Sequence, residues 1–224
     1  MSQIFLQRSF FAAIGVVCFT VAFEQTKPAI AANFTAIDFS APTTNFTNGQ
    51  WSLGFQFTTN KTINVTSLGF YDDFQNDLTQ NHDIGIFDKT GTLLVQGTVK
   101  PGDALDGFFR YTSVQSTQLQ AGGTFFIAST TGTENYTFNP TGFSVNPNIT
   151  FVSSVFRFSD TLVFPIETPA AQSSDGNKGY FGPNFKADAP AAIPTPALLP
   201  GLIGLGIGAW RKHKKAIAKQ TNNL

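Results

Sequence analysis

Leu53-Gly54-Phe55-Gln56-Phe57 alternates without a break, with Leu53, Phe55 and Phe57 on one side and Gly54 and Gln56 on the other. Period two marks a half-buried strand, because successive side chains leave opposite faces of the backbone. The pattern resumes at Ile63 and Val65. It then slips by one residue at Thr66-Ser67, so that Leu68 and Phe70 take over the apolar face. A single-residue bulge accounts for such a slip. Further along, residues 83–88 and 92–99 read as a hairpin. Its loop, Lys89-Thr90-Gly91, has glycine where a positive φ is needed. Leu93, Val95, Gly97 and Val99 are expected to face the core. More strands are expected over 107–114, 124–129, 136–138, 149–158 and 161–164. Short strands at near-regular spacing, separated by Gly, Asn, Asp, Thr and Pro, argue for an antiparallel sandwich or barrel. No helix-period segment of useful length and no internal repeat occurs between the two ends of the chain. The expected fold is all-β, an antiparallel jelly-roll-like β-sandwich, flanked by an N-terminal signal helix and a C-terminal membrane helix.

Composition supports a packed core. The chain has 224 residues, of which 25 are Phe and only 12% are charged. That profile is foreign to disordered chains. The formal net charge is zero, but its parts differ. Residues 32–195 hold seven basic and thirteen acidic side chains, a net −6, while residues 211–224 carry +5 and the N-terminal segment +1. An acidic body suits solubility and cation binding better than docking on anionic polymers. No phosphate loop, dinucleotide fingerprint or basic aromatic patch appears, so nucleic acid and nucleotide cofactors are not expected.

Residues 1–31 read as a secretory signal. Arg8 begins it, Phe10 to Phe23 is an uncharged and mostly apolar run of 14 residues, and Ala29-Ile30-Ala31 supplies the small-x-small cleavage pattern. Cleavage is expected after Ala31, with Ala32 the alternative. The apolar run is shorter than the about 20 residues that a spanning helix needs. The single cysteine, Cys18, lies in this segment, so the exported chain has no disulfide and no thiol chemistry.

The C-terminus carries a second signal. After a linker over residues 187–193 come Pro194, Thr195, Pro196 and Ala197. A glycine-rich apolar run then leads to Trp210 and to the basic stop Arg211, Lys212, Lys214 and Lys215, and residues 216–224 form a cytoplasmic tail. Together, residues 194–215 resemble the PEP-CTERM sorting signal in its Pro-Thr-Pro-Ala variant. The resemblance implies export to the envelope of a Gram-negative-type cell and transient inner-membrane anchoring by the helix. It also implies an exosortase-type membrane protease as partner, and delivery to the cell surface or extracellular matrix. A permanent single-span anchor is the competing reading.

The body of the chain, residues 32–186, also resembles a known type. Leu68-Gly69-Phe70-Tyr71-Asp72-Asp73, His82-Asp83-Ile84-Gly85-Ile86-Phe87-Asp88, Phe108, Arg110, Tyr111 and Tyr180-Phe181-Gly182-Pro183-Asn184-Phe185 look like an uncharacterised β-sandwich domain. That domain recurs in exported proteins with such tails. The resemblance implies a fold and a setting, with a closing strand near Phe185, but no activity.

Candidate chemistry is sparse. Asp72, Asp73, Asn76, Asp77, Asn81, His82 and Asp83 crowd one loop. Ca²⁺ takes about six to eight oxygen ligands, which makes Asp72, Asp73, Asp77 and Asp83 candidate ligands, although the spacing is not that of an EF-hand. The same residues suit an Asx-rich turn that caps its own backbone. Trp51, Tyr71, Tyr111, Tyr136 and Tyr180 are the aromatics able to offer a sugar-stacking platform. Trp51 and Tyr71 are the foremost ligand-binding candidates, Trp51 because the turn Asn48-Gly49-Gln50 precedes it. Core packing is the competing fate of each. His82 is the sole histidine outside the C-terminal tail, no Gly-x-Ser-x-Gly elbow occurs, and the body has only Glu134 and Glu167 as glutamates. No catalytic residue is assigned, and no cofactor beyond a possible Ca²⁺. The expected role is a non-enzymatic structural or interaction module, with exopolysaccharide binding as the alternative and glycoside hydrolysis a distant third.

Overall fold

The computed structural model of the protein describes residues 32–167 and 179–189. Fifteen strands make up the described residues: β1 Ala32–Thr35, β2 Ile37–Asp38, β3 Thr44–Phe46, β4 Trp51–Thr59, β5 Ile63–Tyr71, β6 His82–Asp88, β7 Leu93–Val99, β8 Ala104–Asp106, β9 Phe109–Leu119, β10 Thr124–Thr130, β11 Tyr136–Phe138, β12 Ser144–Val145, β13 Ile149–Phe158, β14 Tyr180–Phe181 and β15 Pro183–Ala189. No helix occurs among them. The expected terminal helices, both processing motifs and the basic stop lie outside the described residues.

Two five-stranded antiparallel sheets form the sandwich, in the orders β1-β15-β5-β9-β8 and β13-β4-β10-β6-β7. Phenylalanines from both sheets meet between them. Phe57 of β4 lies 5.0 Å from Phe185 of β15, and Phe55 lies 6.4 Å from Phe181 of β14, in a small third sheet, ring centre to ring centre. Phe55, Phe57, Phe70, Phe181 and Phe185 are fully buried. Each contributes about 1.5–3 kcal/mol of transfer free energy. The alternation that opens β4 therefore gives one face to the core, as expected.

The bulge in β5 is present. Its pairing with both β9 and β15 shifts register between Val65 and Ser67, which carries Leu68 and Phe70 into the core. The hairpin is also present, with β6 paired to β7 and Gly91 at φ +86°.

Three expectations need correction. Leu93 does not face the core but is 41% exposed. The β6–β7 register shifts at Phe87, leaving Leu93 opposite Phe87, while Ile86 still pairs with Val95. Residues 161–164 do not form a strand. They cross the outer face of the β4 sheet, where Phe164 covers Phe87 and Phe126 at 5.7 and 5.0 Å. Their backbone is tied to a side chain instead of a ladder: Ser52 Oγ donates to the Val163 carbonyl at 2.6 Å. Lastly, β15 runs through Ala189, three residues into the expected linker. Ala187, Asp188 and Ala189 pair with Phe34, Asn33 and Ala32 of β1. Their small, Ala-rich composition reads as linker, but Ala187 is fully buried and extends the ladder.

Candidate functional site

The acidic loop folds inward upon an arginine that sequence reasoning did not single out. Asp72, only 1% exposed, accepts from the backbone N–H of Asn76 at 3.2 Å and of Asp77 at 3.1 Å. Arg110 Nε donates to Asp72 Oδ2 at 2.7 Å and also pairs with Asp77 Oδ1 at 3.1 Å. Arg110 Nη1 then donates to the Asp103 carbonyl at 2.8 Å. The Leu78 and Gly102 amides donate to Asp77, which holds its carboxyl below the usual range. Asp73 turns elsewhere, accepting from Asn135 Nδ2 at 2.5 Å, and Asp83 accepts from Thr98 Oγ1 at 2.6 Å. The four carboxylates thus do not form one ligand set. Among the described residues no group of three or more His, Cys, Asp or Glu side chains is placed to hold a metal. Of the two readings of this loop, calcium site or self-capping turn, the geometry is that of a turn locked by Arg110, because one guanidinium and several amides already occupy carboxylate oxygens. Arg110 lies 38 residues from Asp72, too far for spacing to reveal.

His82 is fully buried and stacks on Phe70 with ring centres 3.6 Å apart. Its Nδ1 lies 2.8 Å from the Thr130 carbonyl, so Nδ1 carries the proton. Nε2 is sealed in the core and has no hydrogen-bond partner among the described residues. Burial pushes the pKa of this imidazole down, as desolvation of a cation requires.

Of the five candidate aromatics, two are enclosed in the core; Tyr136, though it lines the cavity described below, is also only 4% exposed. Tyr71 is 1% exposed, and its hydroxyl donates to Asn45 Oδ1 at 3.0 Å. Burial pushes its phenol pKa up. Tyr71 therefore offers no stacking face, which corrects that expectation. Tyr111 is buried beneath Lys186, whose Nζ lies 4.3 Å from the ring centre.

The other three converge. Trp51 begins β4 opposite Phe158, the last residue of β13, and Leu53 lies opposite Phe156. Residues directly opposite share a face. Phe151 also faces inward, opposite Phe57, and strict alternation from it would turn Phe156 outward. A register shift between Phe151 and Ser153 resets the parity, so Phe156 and Phe158 join Trp51. The small sheet β14-β11-β3 supplies Tyr180, Tyr136 and Phe46 from the other side. Between them lies a cavity of about 210 Å³, lined by Phe46, Asn48, Trp51, Leu53, Tyr136, Phe156 and Tyr180. Phe156 and Phe158 meet the indole edge-on at 5.5 and 5.3 Å. Phe158 is 70% exposed and extends the aromatic surface beyond the cavity.

Asn48 is the polar centre of this site. Its Oδ1 accepts from Trp51 Nε1 at 3.3 Å and from the Tyr136 hydroxyl at 2.5 Å. An indole N–H only donates, which fixes which end of the amide faces it. Glycine at 49 suits this turn, since a Cβ there would come within 3.1 Å of Trp51 Nε1 and press the indole to shift. Asn48 Nδ2 and the Tyr180 hydroxyl have no hydrogen-bond partner among the described residues. Burial raises the Tyr136 pKa, with Tyr180 adding to it, so Tyr136 stays a neutral donor. Trp51 was legible as a candidate from its turn. The role of Asn48 was not, because Tyr136 lies 88 residues away.

These features define a class, an antiparallel β-sandwich with an aromatic-walled, amide-bearing cavity at one end of a sheet. The family model described as a domain of unknown function, DUF4082, matches residues 40–192, more than half of the sequence, and the chain belongs to that family. No curated protein matches it.

Proposed function

We propose that this protein is a non-enzymatic, exported cell-surface or matrix protein whose sandwich is an interaction module. The observation that carries the module reading is the cavity at Trp51. It combines ring faces with an amide N–H pair and a hydroxyl that the fold does not use. Asn48 is exposed and lines the cavity, so its amide N–H pair is open to a ligand. Delivery follows from the terminal motifs: a signal cut after Ala31, then recognition of Pro194 to Ala197 by an exosortase-type protease while the apolar run that follows holds the chain in the inner membrane. We further read the sandwich as jelly-roll-like. Crossings between sheets from β4 to β5, β5 to β6, β7 to β8 and β9 to β10 support that connectivity.

The test is mass spectrometry of the protein recovered from the surface and medium of an export-competent host. The expected product begins at Ala32 and ends within or near residues 194–197. A product intact through Leu224 overturns the sorting reading.

A further inference from the structure

We propose that the Trp51 cavity is a subsite for a neutral sugar ring within a polysaccharide. This deepens the interaction-module reading and rests on it. A pyranose ring presents C–H groups on its faces and hydroxyls around its rim. Aromatic faces take the first, through the negative potential above the ring. The rim needs groups that both donate and accept. Asn48 Nδ2 donates, and the Tyr180 hydroxyl does either; neither has a protein partner among the described residues.

Other ligand classes fit less well. No charged side chain lines the cavity, so an ionic group would be desolvated there without a counter-charge. A wholly apolar ligand would leave the Asn48 amide and the Tyr180 hydroxyl without a matching group. Proline-rich peptides also use aromatic surfaces, but as extended grooves that accept successive residues. This site is one compact cavity of about 210 Å³. That is below the roughly 300 Å³ where drug-sized pockets begin, and it suits a single ring. Phe158, exposed and 5.3 Å from Trp51, offers a platform for the neighbouring sugar. The ligand is therefore a chain and not a free monosaccharide. The net −6 of residues 32–195 selects against uronic or sulfated polymers.

The experiment is affinity electrophoresis of the full chain in mild detergent through gels containing dextran, mixed-linkage β-glucan, mannan or galactan. Alginate and a soluble proline-rich peptide serve as comparators. At least one neutral polymer should retard the protein, and alginate should not. Trp51→Ala should abolish retardation. Tyr180→Phe, which leaves packing intact, should weaken it about five- to tenfold, the worth of one hydrogen bond. Phe158→Ala should weaken binding to the polymer but not to its disaccharide. Retardation by none of the neutral polymers, or retardation indifferent to both Trp51→Ala and Tyr180→Phe, overturns the proposal. So does displacement of the polymer by the peptide. The underlying reading is separated by measuring retention of the exported protein in the extracellular matrix. Retention that depends on Trp51 while every neutral polymer fails keeps the interaction module and rejects the saccharide. Retention indifferent to Trp51 rejects both.

Discussion

The turn after β5 and the cavity beside β4 both gather polar side chains near the ends of strands, and they end in opposite states. In the turn, both oxygens of Asp72 are engaged, Arg110 bridges it to Asp77, and the guanidinium continues to the Asp103 carbonyl. In the cavity, Asn48 engages only its oxygen, leaving Nδ2 and the neighbouring Tyr180 hydroxyl without partners among the described residues. The acidic loop looked the more chemical of the two by residue type. Its chemistry is consumed in closing a turn. The difference teaches that hydrogen-bond saturation separates structural polarity from available polarity.

The largest expected effect breaks the first region. Asp72→Ala leaves a largely buried Arg110 charge without its main partner, and loss of one member of such a pair costs about 3–5 kcal/mol. Urea unfolding should show this as a clear drop in midpoint, with Asp72→Asn recovering only part. A change below about 1 kcal/mol would mean that the pair behaves as an exposed one and that the turn is not locked by it.

An intermediate effect concerns His82, a polar group that is sealed instead of either engaged or open. Its pKa is lowered from the usual 6.5 by burial. The unfolded chain therefore binds a proton more readily than the folded one. The neutral histidine's contribution is fully present above about pH 6.5 and declines as pH falls through the lower folded value. Melting temperature followed from pH 8 to pH 5 should fall on the acid side, and His82→Gln should flatten that slope. Asp77 and Asp88, lowered from the usual 3.8 by hydrogen bonds to their carboxylates, act only in a more acidic window. An unchanged slope in His82→Gln would assign the acid sensitivity elsewhere.

The smallest effects sharpen the second region. Tyr136→Phe removes the bond to Asn48 and should cost about 1 kcal/mol. Tyr180→Phe removes a hydroxyl that bonds nothing in the described fold, so stability should stay within about 0.5 kcal/mol. Equal losses from the two variants, measured by thermal unfolding, would show that the Tyr180 hydroxyl is structural after all.

Legibility tracked how local each feature is. The alternation of β4, the slip at Thr66 and the glycine turn at 91 depend on a few consecutive residues, and each appears in the structure. Leu93 failed because the bulge that displaces it arises from the β6–β7 pairing, which its own strand does not record. Residues 161–164 failed because their apolar side chains match a strand, while what they meet is the outer aromatic face of a distant sheet. At the site, Trp51 could be named from the turn before it. Tyr71, with the same claim on paper, is buried on the face of β5 opposite Phe70, where Phe39 and Phe109 pack against its ring.

The sequence by itself determined the all-β class, the inward faces of the main strands and an acidic body between two basic ends. Period two, turn chemistry and charge are written in neighbouring residues. Only the tertiary structure decided that Arg110 closes the acidic loop and that Asn48 joins Trp51 to Tyr136. Those contacts span 38 and 88 residues. Which polar groups find partners across such distances depends on register shifts and sheet packing, and no local pattern encodes them.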